Sequence, residues 1–259
     1  MSVIAHNLAV DLGGKPILRD IDFSASAGEL TMIVGPNGSG KTTLMRALTG
    51  ELPFSGRAEI AGVDLASAKP WQLAGRRAVL PQSSSLAFPF TVYEVVRMGL
   101  IAGAHADDQR LPSRALSAVG LDSYEGRLFQ ELSGGEQQRV HLARVLSQVW
   151  QPVTESQCCW LFLDEPVSSL DIAHQLQVMS ITAGYASQGG GVIAVMHDLN
   201  LTLTYADRVI LMHEGRVRAS GTPTDVMTEA MLSDVYGCPL RVRTVPGEQQ
   251  SYVLPGSRK

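Results

Sequence analysis

One octapeptide constrains this chain more than any other stretch of its 259 residues: Gly35-Pro36-Asn37-Gly38-Ser39-Gly40-Lys41-Thr42 fits the pattern G-x-x-x-x-G-K-[ST]. It follows the apolar run Thr31-Met32-Ile33-Val34 and precedes a helical pattern from Thr42 to Leu48, so the order strand, tight turn, helix is imposed. Glycines let such a turn wrap until successive backbone N–H groups point inward at phosphate oxygens, and the helix N-terminus adds positive potential. Lys41 then reaches the β- and γ-phosphates, Thr42 offers a hydroxyl to Mg²⁺, and Thr43 lies beside it in the same cradle. A plain glycine-rich turn is the competing reading of the same residues.

Two further runs, Trp160-Leu161-Phe162-Leu163 and Gly191 to Met196, are apolar throughout, as strands covered on both faces are. They predict a parallel sheet flanked by helices. The segments Ile4–Val10, Ile21–Ser26 and Arg57–Ile60 are shorter and mixed, and predict an antiparallel layer beside that sheet. Between Ser85 and Gln151 the apolar spacing turns helical over Thr91–Leu100, Pro112–Val119 and Ser133–Val149, which predicts an inserted helical lobe. Thr222 with Pro223 reads as the N-cap and first residue of a small helix. The expected organisation is one domain: an α/β core over 1–84 and 157–240, a helical subdomain over 85–156, and a tail over 241–259 that frays from Pro246 to Lys259.

Composition narrows the possible functions. With 45% hydrophobic residues the chain can fill a large core, and a net charge of 21 − 25 = −4 argues against affinity built on nucleic-acid phosphates. No apolar stretch approaches the roughly 18–20 residues of a membrane-spanning helix, and the start shows no secretory pattern. Of three cysteines, Cys158 and Cys159 are adjacent and Cys238 stands alone, which makes neither a disulfide framework nor a Cys-x-x-Cys metal pair.

Chemistry is expected where the second apolar run ends in two carboxylates, Asp164 and Glu165, because ligands sit at the carboxyl ends of parallel strands. Asp164 falls where a Mg²⁺ partner belongs. Glu165, pointing elsewhere, can hold a water in line with a γ-phosphate. Ser133 and Glu136 form a capping box at a helix start. Capping does not explain the intervening Gly134-Gly135, which cost helix stability and leave N–H groups open to an anion.

The order of the loop Gly35–Thr42, Gln82, Leu132-Ser133-Gly134-Gly135-Glu136-Gln137, Leu163-Asp164-Glu165-Pro166, Ser169-Leu170-Asp171 and His197-Asp198 resembles that of ATP-binding subunits of ABC transporters. The resemblance implies an α/β P-loop NTPase core of RecA-like type, with an antiparallel β layer and an inserted helical subdomain. It implies ATP and Mg²⁺ as cofactors, the metal at Thr42, Gln82 and Asp164, and catalysis by Glu165, His197, Gln82 and Lys41. In that family two cassettes pack head to tail, so Ser133, Gly134, Gly135 and Glu136 would serve the partner's nucleotide and Asp171 would meet the opposing subunit. Read alone, Asp171 is an N-cap for the helix from Ile172, Gln82 a surface glutamine and His197 a polar strand end. Leu12 stands where the family usually carries an aromatic residue that stacks on adenine.

Within the family, Ala78–Gln82 with Leu86–Val92, Trp160–Pro166 and His197–Leu201 are similar to importers of iron chelates, cobalamin and haem, and above all haem. The implied partners are a second copy of the ATPase, an integral-membrane permease dimer that could seat on Phe88-Pro89-Phe90 and, indirectly, a periplasmic haem-binding protein. The implied location is peripheral, on the cytoplasmic face of the inner membrane. An iron-siderophore or cobalamin importer, or a soluble ABC ATPase, is the alternative.

Overall fold

A computed structural model describes residues 1–82, 86, 88–103, 106–155, 157–244 and 251–256. The chain opens with an antiparallel hairpin, β1 (Ser2–Leu12) and β2 (Lys15–Ser26), then enters a central sheet as β3 (Leu30–Val34). Helix α1 (Lys41–Leu48) leads to β4 (Ser55–Ile60) and β5 (Val63–Asp64), which complete a four-stranded antiparallel layer in the order β2-β1-β4-β5. A short α2 (Pro70–Ala74) precedes β6 (Arg77–Leu80).

Three helices follow: α3 (Val92–Ala102), α4 (Leu111–Ala118) and α5 (Gly134–Gln148). A two-residue ribbon, β7 (Val153–Thr154) with β8 (Gln157–Cys158), returns the chain to the central sheet at β9 (Trp160–Asp164). After α6 (Ile172–Ser187) come β10 (Gly191–Val195), α7 (Leu199–Tyr205), β11 (Arg208–His213) and β12 (Arg216–Gly221). The six-stranded sheet has the order β12-β11-β3-β10-β9-β6, parallel except for β12 at one edge.

Alternation explains why the inner strands read as unbroken apolar runs. Trp160 and Phe162 of β9 face α1 and the antiparallel layer together with Ile33, Ile193, Val195, Leu44 and Leu48. Leu161 and Leu163 face the opposite way with Met32, Val34, Val192 and the helical lobe. Successive side chains of a strand point to opposite faces, so a strand with both faces covered has no polar position to spare. Burying each large side chain stabilises the fold by about 1.5–3 kcal/mol.

The lobe is joined closely: Gly99 of α3 lies against α5 where any Cβ would collide with the Arg144 carbonyl oxygen, and the Ser147 hydroxyl donates to the Val96 carbonyl at 2.9 Å. The chain ends in α8 (Pro223–Val226), capped by Thr222 as expected, α9 (Glu229–Tyr236) and the hairpin β13 (Leu240–Thr244) with β14 (Ser251–Pro255). The expectation that the chain frays from Pro246 is corrected over Ser251–Pro255. These residues pair with β13, Val253 is buried in the main core, and the Asn200 side chain bonds both backbone groups of Val253. The expected boundaries at 84/85 and at 156, and the remainder of the tail, lie outside the described residues. Among the described residues no helix is long and apolar enough to cross a membrane.

Candidate active site

The loop from Gly35 to Gly40 is shaped by contacts that only glycine satisfies. Gly35 has φ 149° and a Cβ there would strike the Met212 carbonyl; Gly40 has φ 98° and a Cβ would come within 2.7 Å of the Leu18 side chain. No side chain caps α1, so its N-terminus is left without a side-chain partner beside the loop. Lys41 opens that helix with only 6% of its surface exposed, and its ammonium donates to the carbonyls of Gly35 at 2.9 Å and Pro36 at 3.0 Å. Burial pulls its pKa below the ordinary lysine value, while the Glu165 and Asp164 carboxylates oppose that shift.

Strand β9 delivers Asp164 at its carboxyl end, 3% exposed, where it accepts a long hydrogen bond from the Thr42 hydroxyl at 3.4 Å. Burial raises the Asp164 pKa above the usual carboxylate range and the Thr42 contact partly offsets it. Glu165 then turns into the left-handed region, φ 52°, and its N–H donates to the Val195 carbonyl at 3.1 Å. A non-glycine residue there costs on the order of 1–3 kcal/mol and persists only where its surroundings fix it. The fixing partners are Gln82, whose Nε2 donates to Glu165 Oε1 at 2.8 Å, and His197, whose Nε2 meets the same oxygen at 2.6 Å. An ionised carboxylate only accepts, so the His197 ring carries its proton on Nε2.

These groups line a cavity of about 350 Å³ formed by Ile17, Asn37, Gly38, Gly40, Lys41, Thr42, Thr43, Gln82, Glu165 and His197. Gly35, Pro36 and Ser39 belong to the loop but not to the cavity lining; the Ser39 N–H donates to the Pro36 carbonyl and its own carbonyl accepts from the Gly215 N–H. Asp164 reaches an adjoining cavity that also includes Thr42 and Gln82. The Thr42 hydroxyl, the Asp164 carboxylate and the Gln82 amide oxygen are hard oxygen donors. Such a set fits Mg²⁺, which takes one or two carboxylates and completes its shell with substrate phosphates and water. Among the described residues no group of three or more His, Cys, Asp or Glu could hold a metal by itself.

The remaining expected residues lie apart from this cavity within one chain. Ser133 caps α5 on the exposed side of the lobe, with Glu136 completing the box, and Gly134 has open space around it. Gly135 packs near the Ser169 carbonyl. Asp171 caps α6, accepting the His174 N–H at 3.0 Å and lying 2.8 Å from its ring Nδ1. Leu12 sits at the β1–β2 hairpin, 40% exposed and outside the cavity lining. Two residues near the site carry no sequence signal: Ile17, whose place depends on how β2 crosses the loop, and Gln138, whose amide reaches the Glu165 carbonyl at 3.5 Å.

A phosphate loop on a parallel sheet, a buried carboxylate beside its threonine and a second carboxylate held by an amide and an imidazole define a P-loop nucleoside triphosphatase. The chain belongs to the ABC transporter family, whose model matches residues 18–168, and the family's cassettes couple ATP hydrolysis to transport. It is 60% identical over 250 residues to the hemin import ATP-binding protein HmuV of Jannaschia sp. (strain CCS1), covering 96% of this chain and 93% of that protein. Its fold is similar to that of a putative metal-chelate type ABC transporter in an inward-facing conformation, with TM-score 0.79, 24% identity and coverage of 99% and 98% of the two chains. A dimeric bacterial ABC transporter cassette is similar at TM-score 0.73 and 22% identity, over 85% of this chain and 98% of that one.

Proposed function

We propose that this chain is the ATP-hydrolysing subunit of a haemin importer, working as a head-to-tail homodimer beneath an integral-membrane permease dimer on the cytoplasmic face of the inner membrane. The observation that carries the catalytic reading is the Glu165 carboxylate, held by Gln82 and His197 at the mouth of the cavity that contains the phosphate loop. The loop amides and Lys41 bind the triphosphate, with the lysine exchanging its two carbonyl contacts for phosphate oxygens. Thr42, Asp164 and Gln82 would hold Mg²⁺, which would supply charge neutralisation at the phosphates. Glu165 orients the attacking water, and His197 fixes the carboxylate through its Nε2 contact. Ser133, Gly134 and Gly135, separated from this cavity in one chain, complete the site of the second copy, and Asp171 meets that copy across the interface. The core over 1–84 and 157–240 binds nucleotide, while the lobe over 85–156 presents Ser133 and, through exposed Phe88, faces the permease.

The haemin assignment rests on the likeness to the Jannaschia relative. Permease and a periplasmic haem-binding protein select the cargo. The test is reconstitution of the chain with its permease and binding protein in vesicles, followed by ATP-driven uptake of haemin, a ferric siderophore and cobalamin in parallel. Haemin uptake alone is the expected result. Uptake of either other cargo in its place overturns the haemin assignment, and full ATPase activity with no association to any permease overturns the transport reading.

A further inference from the structure

The helical lobe contains the same capping box twice, with one difference. At α3 the Thr91 N–H and hydroxyl both donate to Glu94 Oε2 at 2.8 Å, and the Glu94 N–H returns to the Thr91 hydroxyl at 3.3 Å. At α5 the Ser133 N–H and hydroxyl both donate to Glu136 Oε2 at 2.8 Å, and the Glu136 N–H returns to the Ser133 hydroxyl at 3.3 Å. Among the described residues only the second box has a third donor: the Tyr124 hydroxyl donates to the other carboxylate oxygen, Glu136 Oε1, at 2.8 Å. Both carboxylates are held below their ordinary pKa by the cap residue's own hydrogen bonds. Glu136, with Tyr124 added, goes down to about 2.

Tyr124 is itself fixed. Its ring packs against the main core, the Arg127 guanidinium stacks over it at 3.9 Å, and the turn that follows accepts at the head of α3, where the Val92 N–H donates to the Arg127 carbonyl at 2.9 Å and the Tyr93 N–H to the Glu125 carbonyl at 3.0 Å. A helix needs no tyrosine to be capped, as Thr91 and Glu94 demonstrate. What Tyr124 adds is control of the carboxylate that engages the only hydroxyl hydrogen of Ser133. That hydrogen has to leave Glu136 before it can reach a phosphate oxygen, and a carboxylate already loaded on its far oxygen releases it more readily.

We propose that Tyr124 is a positioning residue for the composite site: acting through Glu136, it sets the orientation of the Ser133 hydroxyl and eases its transfer to the nucleotide of the second copy. This rests on the reading of Ser133 as a phosphate contact given above. Tyr124→Phe removes the bond and keeps the ring.

The test compares the full chain with Tyr124→Phe and with Ser133→Ala. In Tyr124→Phe the Glu136 carboxylate holds both Ser133 donors more tightly, so backbone hydrogen exchange at Ser133 should slow at least about threefold while exchange at Thr91, the matched box without a tyrosine, stays unchanged. ATPase kcat should fall about three- to tenfold with ATP affinity of the monomer intact, because the chain's own phosphate loop is elsewhere. Unchanged Ser133 exchange, or unchanged kcat beside an impaired Ser133→Ala, removes Tyr124 from the role. A joint fall of ATP affinity, kcat and thermal midpoint makes it a structural residue and also overturns the proposal. Full turnover in Ser133→Ala instead removes the reading of Ser133 on which the proposal stands.

Discussion

Glu165 carries two hydrogen bonds on one oxygen, and its charge and shape can be separated by a single substitution. Glu165→Gln keeps the side-chain length but loses the carboxylate, so it should bind ATP with Mg²⁺ and hydrolyse it at least about a hundredfold more slowly, as read by calorimetry and phosphate release. Turnover near the native rate would remove Glu165 from catalysis. Glu136 allows a test by pH. Its pKa falls from 4.5 to about 2 because the Ser133 hydroxyl and N–H, then the Tyr124 hydroxyl, favour the ionised form. A depressed carboxylate stabilises the fold fully above the unfolded value and loses that contribution as pH falls through the folded one. The difference in thermal midpoint between the native chain and Glu136→Gln should therefore be widest above about pH 5 and shrink toward pH 2; a difference that stays constant with pH would show that the charge contributes nothing.

At the scale of elements, the joint between α3 and α5 depends on Gly99. Gly99→Ala, harmless to an isolated helix, should cost the protein about 1–3 kcal/mol, because its Cβ overlaps the Arg144 carbonyl oxygen and the two helices have to separate. Denaturant unfolding measures this, and a cost below about 0.5 kcal/mol would mean that α5 moves freely. Sequence alone exposed the elements whose logic is local: the strand, loop and helix around Lys41, the apolar runs of β9 and β10, and the caps at Ser133 and Thr222. It exposed Asp164 and Glu165 because the end of a buried strand is marked by the first charges after it. Features made by distant segments stayed hidden. Ile17 lines the cavity only because β2 passes beneath the loop, and β14 is a strand only because β13 and Asn200 receive it. Tyr124 was equally silent, since the chain folds back over a separation of twelve residues to bring its hydroxyl to Glu136.

At the scale of the whole molecule, on the function proposed above, Lys41 in the core cavity and Ser133 on the outer lobe belong to opposite halves of a composite site that one chain does not bring together. A subunit carrying Lys41→Ala and one carrying Ser133→Ala then damage opposite halves, so a mixed dimer has one site doubly damaged and one intact. Mixed preparations should regain part of the ATPase activity that each homodimer lacks, and mixtures no more active than their components would argue against composite sites. The left-handed backbone at Glu165 has a further consequence at this scale. If Glu165 has the role proposed above, the molecule gives up stability at its hydrolytic residue, so Glu165→Gly should relax the backbone and raise the thermal midpoint while abolishing turnover. A directed-evolution campaign that ranked variants by heat resistance alone would enrich dead enzymes at this position, and a thermal scan beside an ATPase assay on that one variant would reveal the conflict.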